Sequence, residues 1–181
     1  MASRSPQRRE ILTGLKLDFS VRVSTVAELE EGEPEAVALE NALRKARAVR
    51  RAGTPEIIIG CDTIVALDGR IYGKPADERQ AADTIRALAG RTQRVISGLA
   101  VLVGEEERTA LASTAVTFRA VDEELLTWYV GTGEWRERSG GYAIQGAGAR
   151  LVERIDGEVE NVVGLPVGAL LRLCPELSLP A

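Results

Sequence analysis

Apolar residues recur at three- and four-residue spacing over residues 6–15, 35–51, 78–89, 123–130 and 166–173, which predicts five helices. The clearest such face is formed by Val37, Leu39, Leu43, Ala46 and Val49. β-Branched enrichment between turn residues predicts strands over 57–67, 70–72, 94–103, 109–119 and 151–155. Asp68-Gly69, between the first two strands, is a good hairpin turn, and the acidic stretch 29–35 reads as a surface loop leading into a helix. Strands and helices interleave with at least one hairpin, so the expected fold class is α/β, a mixed sheet flanked by helices. No repeat, low-complexity tract or long linker interrupts the pattern, and 181 residues suit one domain, expected over 1–181.

Composition narrows the function classes. Hydrophobic residues at 45% and charged residues at 28% are the balance of a folded globular chain rather than a disordered one. The longest apolar runs, near 57–59 and 99–103, fall far short of the roughly 20 residues of a membrane span. The opening Met1-Ala2-Ser3-Arg4-Ser5-Pro6 has no apolar signal region, so a cytoplasmic protein with no membrane partner is expected. A net charge of −4 excludes the basic field that drives bulk nucleic-acid binding, and a polyanion would have to find a local basic pocket. Histidine is absent, which removes Ser-His and Cys-His catalysis and every His-ligated metal. Acid–base chemistry or metal binding must rest on carboxylates, lysines or tyrosines. Cys61 and Cys174 offer neither a disulfide framework nor zinc spacing and are expected as core thiols.

Four segments carry candidate chemistry, each with an ordinary structural reading beside it. Ser3-Arg4-Ser5-Pro6-Gln7-Arg8-Arg9 sets a capping serine and an N1-type proline at a helix start with two arginines in the first turn, which suits a phosphate or simply a capped helix. In 57–65 one carboxylate, Asp62, interrupts an apolar strand; it needs a cation, a metal or hydrogen-bond donors, or it is a strand-end aspartate bonding to a turn. Gly73-Lys74-Pro75 follows the hairpin; its ammonium could meet phosphate or pair with Asp62, but the glycine spacing of a P-loop is missing. The glycine-rich stretch 139–149 could let a ligand approach the backbone, with the Gln145 amide reading a base edge, or be an irregular connection.

Taken together and in order, these segments resemble the Maf family of nucleotide pyrophosphatases from Ser3 to about Leu171. The similarity extends through Lys45-Ala46-x-Ala48-Val49, Asp62-Thr63, Thr114-x-Val116-x-Phe118, Gly133-Glu134, Gly140-Gly141-Tyr142-x-Ile144-Gln145-Gly146 and Val163-Gly164-Leu165-Pro166. The resemblance implies two lobes around a nucleotide cleft, a Maf and ITPase-like arrangement, and a homodimer. It implies hydrolysis of a nucleoside triphosphate to the monophosphate and pyrophosphate. Asp62 corresponds to the aspartate assigned as the base that activates water, with Lys74 beside it as a catalytic residue. Ser3, Arg8, Lys45, Thr63 and Gln145 match substrate-binding positions, and Glu28 falls near the acidic segment that, with Asp62, helps to hold a divalent metal, Mg²⁺ or Mn²⁺. Phosphoryl chemistry of this kind needs positioning and charge neutralisation more than covalent catalysis.

Three positions bear on the base. Thr63 and Gln145 fit the branch of the family that acts on dTTP and UTP, whereas Gln7 fits neither that branch nor the one that prefers 7-methyl-GTP. Gln93 and Ser97 stand where the family often has histidine and threonine, Arg138-Ser139 replaces a usual Lys-Ala pair, and the family's first strand has almost no counterpart before Ser3. A pyrophosphatase leaning to pyrimidines, in a house-cleaning role, is the expectation. The alternatives are a non-catalytic nucleotide-binding regulator of septum formation and a pyrophosphatase for modified purine nucleotides.

Overall fold

The computed structural model describes residues 1–51, 53–54 and 56–177, so residues 52, 55 and 178–181 of the expected domain lie outside the described residues. Its elements run α1 (Pro6–Gly14), α2 (Pro34–Ala48), β1 (Ile57–Leu67), β2 (Arg70–Tyr72), α3 (Glu78–Leu88), β3 (Thr92–Val103), β4 (Glu106–Phe118), α4 (Glu123–Gly131), β5 (Val152–Asp156), α5 (Val159–Val163) and α6 (Val167–Leu173). The helices begin where capping chemistry asks them to: Ser5, Asp77 and Asp122 each accept a backbone N–H of the first turn of α1, α3 and α4. Asp68 and Gly69 both adopt positive φ, 52° and 77°, the backbone that a two-residue hairpin turn between β1 and β2 requires.

The five strands form one sheet in the order β2-β1-β3-β4-β5. The helix-flanked α/β architecture is as expected, but the sheet is not mixed: each of the four neighbouring pairs is antiparallel. The crossover that interleaved elements suggest does exist, from β2 through α3 to β3. These two strands are parallel to each other, yet β1 lies between them, so no parallel ladder forms.

Side chains alternate across β1. Ile58, Ile64 and Ala66 face α2, while Ile59, Cys61, Val65 and Leu67 face the opposite side. On that opposite side the apolar core is split in two. Ile59, Cys61, Leu99, Val101, Leu12 and Leu170 form one cluster; Val65, Leu67, Val95, Phe118, Leu88 and Tyr129 form the other. Between them runs a polar row, in which the Thr63 and Ser97 hydroxyl oxygens lie 2.8 Å apart and Thr114 accepts from the Asn161 amide at 3.1 Å. Two lobes thus share one sheet, divided by this polar row, of which Thr63 reaches the cleft.

Candidate active site

Helix α2 lies directly on the sheet because small residues face small residues. Ala38, Ala42 and Ala46 are wholly buried, and a Cβ added to Gly98 or Gly60 would sit 2.2 Å from the Ala38 carbonyl oxygen or 2.3 Å from that of Ala42. The face expected from the larger apolar residues therefore needs correction. Leu39, Leu43 and Val49 are only partly buried, and the stripe against the sheet is Val37, Ala38, Asn41, Ala42, Lys45 and Ala46. A close-packed seam selects for side chains that fit it, and that outranks hydrophobic bulk.

The seam carries two polar residues one turn apart straight to the carboxylate of Asp62, which lies opposite Gly98 in the β1–β3 register. Lys45 Nζ stands 2.6 Å from Asp62 Oδ1, and Asn41 Nδ2 donates to Asp62 Oδ2 at 3.0 Å. Asp62 is thus a buried anion with a cation and a hydrogen-bond donor, the requirement the sequence posed. Lys45 Nζ also lies 2.8 Å from Glu28 Oε1. Two carboxylates therefore converge on one cationic centre. Lys74 does not pair with Asp62; its ammonium is 3.7 Å from Glu137.

On the opposite face of β1, Arg8 is buried and braced rather than free. Its guanidinium donates to Gly164 O at 2.7 Å, to Ser3 Oγ at 3.1 Å and to Thr63 Oγ1 at 3.1 Å. Ser3 and Thr63, both expected to bind substrate, spend their hydroxyls on this brace. The outer edge of β1 is paired with β2 only over Val65–Leu67, and Ala2 N–H donates to Ile59 O at 2.8 Å, which leaves the Asp62–Thr63 stretch between them without a neighbouring strand. That gap lets residues from both faces of β1 reach one cavity.

The cavity measures about 700 Å³ and is lined by all nine sequence-predicted site residues: Ser3, Gln7, Arg8, Glu28, Lys45, Asp62, Thr63, Lys74 and Gln145. Arg4, Arg136 and Arg138 line it too, giving six basic side chains against four acidic ones in a chain of net charge −4. Sequence reasoning missed these three arginines. Arg136 and Arg138 alternate just ahead of the glycine-rich stretch, which is the signal that could have found them. Gln7 and Gln145 also border a second, adjoining groove of about 560 Å³. The Gln7 side-chain carbonyl accepts from Ser5 Oγ at 3.1 Å, while Gln145 is exposed.

The glycines of the glycine-rich stretch serve internal packing, while Ser139, Ala143, Ile144 and Gln145 of the same stretch line the cavity. Gly140 and Gly141 have φ of 70° and 67°, and added Cβ atoms would meet Val65 at 2.7 Å and Pro75 at 3.0 Å. Ser139 Oγ donates to Thr63 O at 3.0 Å, docking the stretch on β1. Glu134 then locks its far end, accepting from Ala147 N–H at 2.9 Å and Gly148 N–H at 2.7 Å.

Two other groups near the site are shifted by burial. Burial pushes the Cys61 thiol up, so it stays protonated, and burial likewise raises the Tyr142 phenol far above neutrality. Cys61 and Cys174 are both fully buried, as core thiols should be. Among the described residues no three His, Cys, Asp or Glu side chains gather to hold a metal unaided. Glu28 and Asp62 are two hard oxygen donors that meet at the Lys45 ammonium, and a divalent cation would take carboxylate oxygens from them beside it. That suits a divalent cation completing its shell with phosphate oxygens, the habit of Mg²⁺ at nucleotide sites. No helix among the described residues is long and apolar enough to cross a membrane.

Comparison with known proteins places this geometry in context. The family model described as Maf-like protein matches residues 1–177. The chain is 43% identical over 174 residues to a dTTP/UTP pyrophosphatase of Deinococcus radiodurans, covering 96% of this chain and 89% of that one. It is 41% identical over 175 residues to a dTTP/UTP pyrophosphatase of Pyrococcus furiosus, covering 96% and 92%. It is 39% identical over 182 residues to another of Symbiobacterium thermophilum, covering 99% and 94%.

Proposed function

The chain belongs to the Maf family, and from that premise we propose that it is a nucleoside triphosphate pyrophosphatase, hydrolysing dTTP and UTP to the monophosphate and pyrophosphate. The observation that supports this best is the meeting of a buried, cation-braced carboxylate with a cavity carrying six basic side chains in an acidic protein. Cleaving the α–β phosphoanhydride requires neutralisation of the triphosphate, orientation of a water and removal of its proton. Arg4, Arg8, Lys74 and Arg138 meet the phosphates in this reading, with Arg8 held rigid by Ser3, Thr63 and Gly164. Asp62 takes the proton of the attacking water, its orientation set by Lys45 and Asn41. Glu28 and Asp62 would hold a divalent cation, Mg²⁺ or Mn²⁺, which when bound supplies charge neutralisation to the phosphates.

Gln7 and Gln145 stand where the two cavities join, and we assign the base there, against two carboxamides able to donate and accept. Thr63, half-buried in the cavity wall and bonded to Arg8, acts on specificity through Arg8 in this reading. The same reading takes the chain as one domain, cytoplasmic and homodimeric, with a house-cleaning role; light scattering tests the assembly.

The deciding experiment is pyrophosphate release from dTTP, UTP, CTP, GTP and modified nucleotides with Mg²⁺ or Mn²⁺, using wild type and Asp62→Asn. Wild-type release that favours dTTP and UTP, with a loss of about 10²–10⁴-fold in Asp62→Asn, is expected. No release from any nucleotide would sink the reading in favour of a nucleotide-binding regulator.

A further inference from the structure

Asn41 lies one turn before Lys45, is 2% exposed, and has every polar atom of its side chain engaged. Its Oδ1 accepts from Leu29 N–H at 2.8 Å, and its Nδ2 donates to Leu29 O at 3.0 Å and to Asp62 Oδ2 at 3.0 Å. A carboxamide offers two N–H donors and an acceptor oxygen, and here both donors and the oxygen are used. Leu29 has both backbone groups satisfied by one side chain, much as a neighbouring strand would satisfy them. Its chain neighbour is Glu28, whose carboxylate shares the Lys45 ammonium with Asp62.

Resting on the pyrophosphatase reading, we infer that Asn41 is a positioning residue that ties the segment bearing Glu28 to the carboxylate of Asp62, so that both carboxylates stay together on the Lys45 ammonium. Packing alone would favour an apolar side chain here, since apart from Lys45 the rest of the stripe is filled by alanines and Val37. The amide instead links a loop with no regular secondary structure to a strand in the sheet. It leaves Lys45 to hold the other oxygen of Asp62. Outer partners of this sort typically alter metal affinity or activity by about 10–100-fold.

Two variants separate the arms of the tether. Asn41→Leu removes all three hydrogen bonds at similar volume. Asn41→Asp keeps an acceptor for Leu29 N–H but loses both donors and turns a carboxylate on Asp62. The readouts are kcat and KM for dTTP at saturating Mg²⁺, calorimetric Mg²⁺ binding without nucleotide, and hydrogen exchange at the Leu29 amide. Asn41→Leu is expected to lose about 10–100-fold in kcat and in Mg²⁺ affinity, to leave KM within about threefold, and to expose the Leu29 amide to exchange. Asn41→Asp is expected to lose kcat comparably while the Leu29 amide stays protected. Wild-type kcat in either variant, or unchanged Leu29 protection in Asn41→Leu, overturns the inference. Absence of wild-type turnover would instead defeat the pyrophosphatase reading, with the exchange and Mg²⁺-binding measurements still deciding the tether.

Discussion

Replacing Lys45 by methionine strips the charge from the centre of the site while keeping an apolar stem along α2. In the wild type, Lys45 Nζ is 2.6 Å from Asp62 and 2.8 Å from Glu28, and the Lys45 and Asp62 side chains are only 11% and 8% exposed. Removing one partner of a buried pair costs about 3–5 kcal/mol, because the other charge is left without compensation. Glu28 is 43% exposed and can turn to water, so it adds little. Asn41 continues to serve Asp62 Oδ2, which holds the expected loss near the lower bound, about 3 kcal/mol. For a chain of this size that is a fall of roughly 6–12 °C in Tm. Asp62→Asn removes the charge that Lys45→Met strands, so the double variant should recover about 2 kcal/mol relative to Lys45→Met alone. Urea unfolding followed by circular dichroism measures all four corners of the cycle. A loss below about 1 kcal/mol in Lys45→Met, together with additivity within about 0.5 kcal/mol in the double variant, would refute the buried pair.

Three further outcomes follow from the same geometry. Gly98→Ala puts a Cβ 2.2 Å from the Ala38 carbonyl oxygen, so α2 must lift from the sheet; a stability loss of about 3 kcal/mol or more is expected by urea unfolding, and a neutral variant would contradict the close-packed seam. Glu134→Ala leaves the Ala147 and Gly148 N–H groups without their carboxylate; the preference for dTTP and UTP over CTP and GTP in a competition assay should narrow, while an unchanged ranking would show that Gln145 needs no such support. Hydrogen bonds from arginines hold Glu35, Glu106, Glu107, Glu123 and Glu176 below the usual carboxylate range. Their folded values being depressed, the stability they contribute is present above the unfolded value of about 4.3 and lost as pH falls through the folded values. Urea midpoints should therefore drop below about pH 4, and drop less in high salt, which screens these surface pairs; an equal fall in both salts would contradict the assignment.

The extent to which the site was legible depended on whether its signal was local. Asp62 could be found because a lone carboxylate in an apolar strand demands a partner nearby, and Asp68-Gly69 because its turn is a two-residue event. Which partner Asp62 takes was not local. Lys45 and Asn41 reach it because Gly60 and Gly98, distant in sequence, admit α2 to the sheet without an intervening layer of side chains. For the same reason the buried face of α2 follows its alanines and not its leucines. Arg136 is masked as an ordinary surface charge, since it stacks over the Trp135 ring at 4.5 Å and lies 3.6 Å from Glu78. Helix α5, at five residues, is too short to display a period. The glycines of the 139–149 stretch read as room for a ligand until Val65, Pro75 and Glu134 are seen to fill the room.

The division of one sheet face into two apolar clusters has a consequence for motion. Strands β1, β3 and β4, of 11, 12 and 13 residues, run without interruption through both lobes. Among the described residues, these three strands join the lobes without a break. Any widening of the cleft would have to change the twist of three long strands together. Segment 23–30 lines the cavity and is moored by Arg22 to Glu56 on one side and by Asn41 to Leu29 on the other.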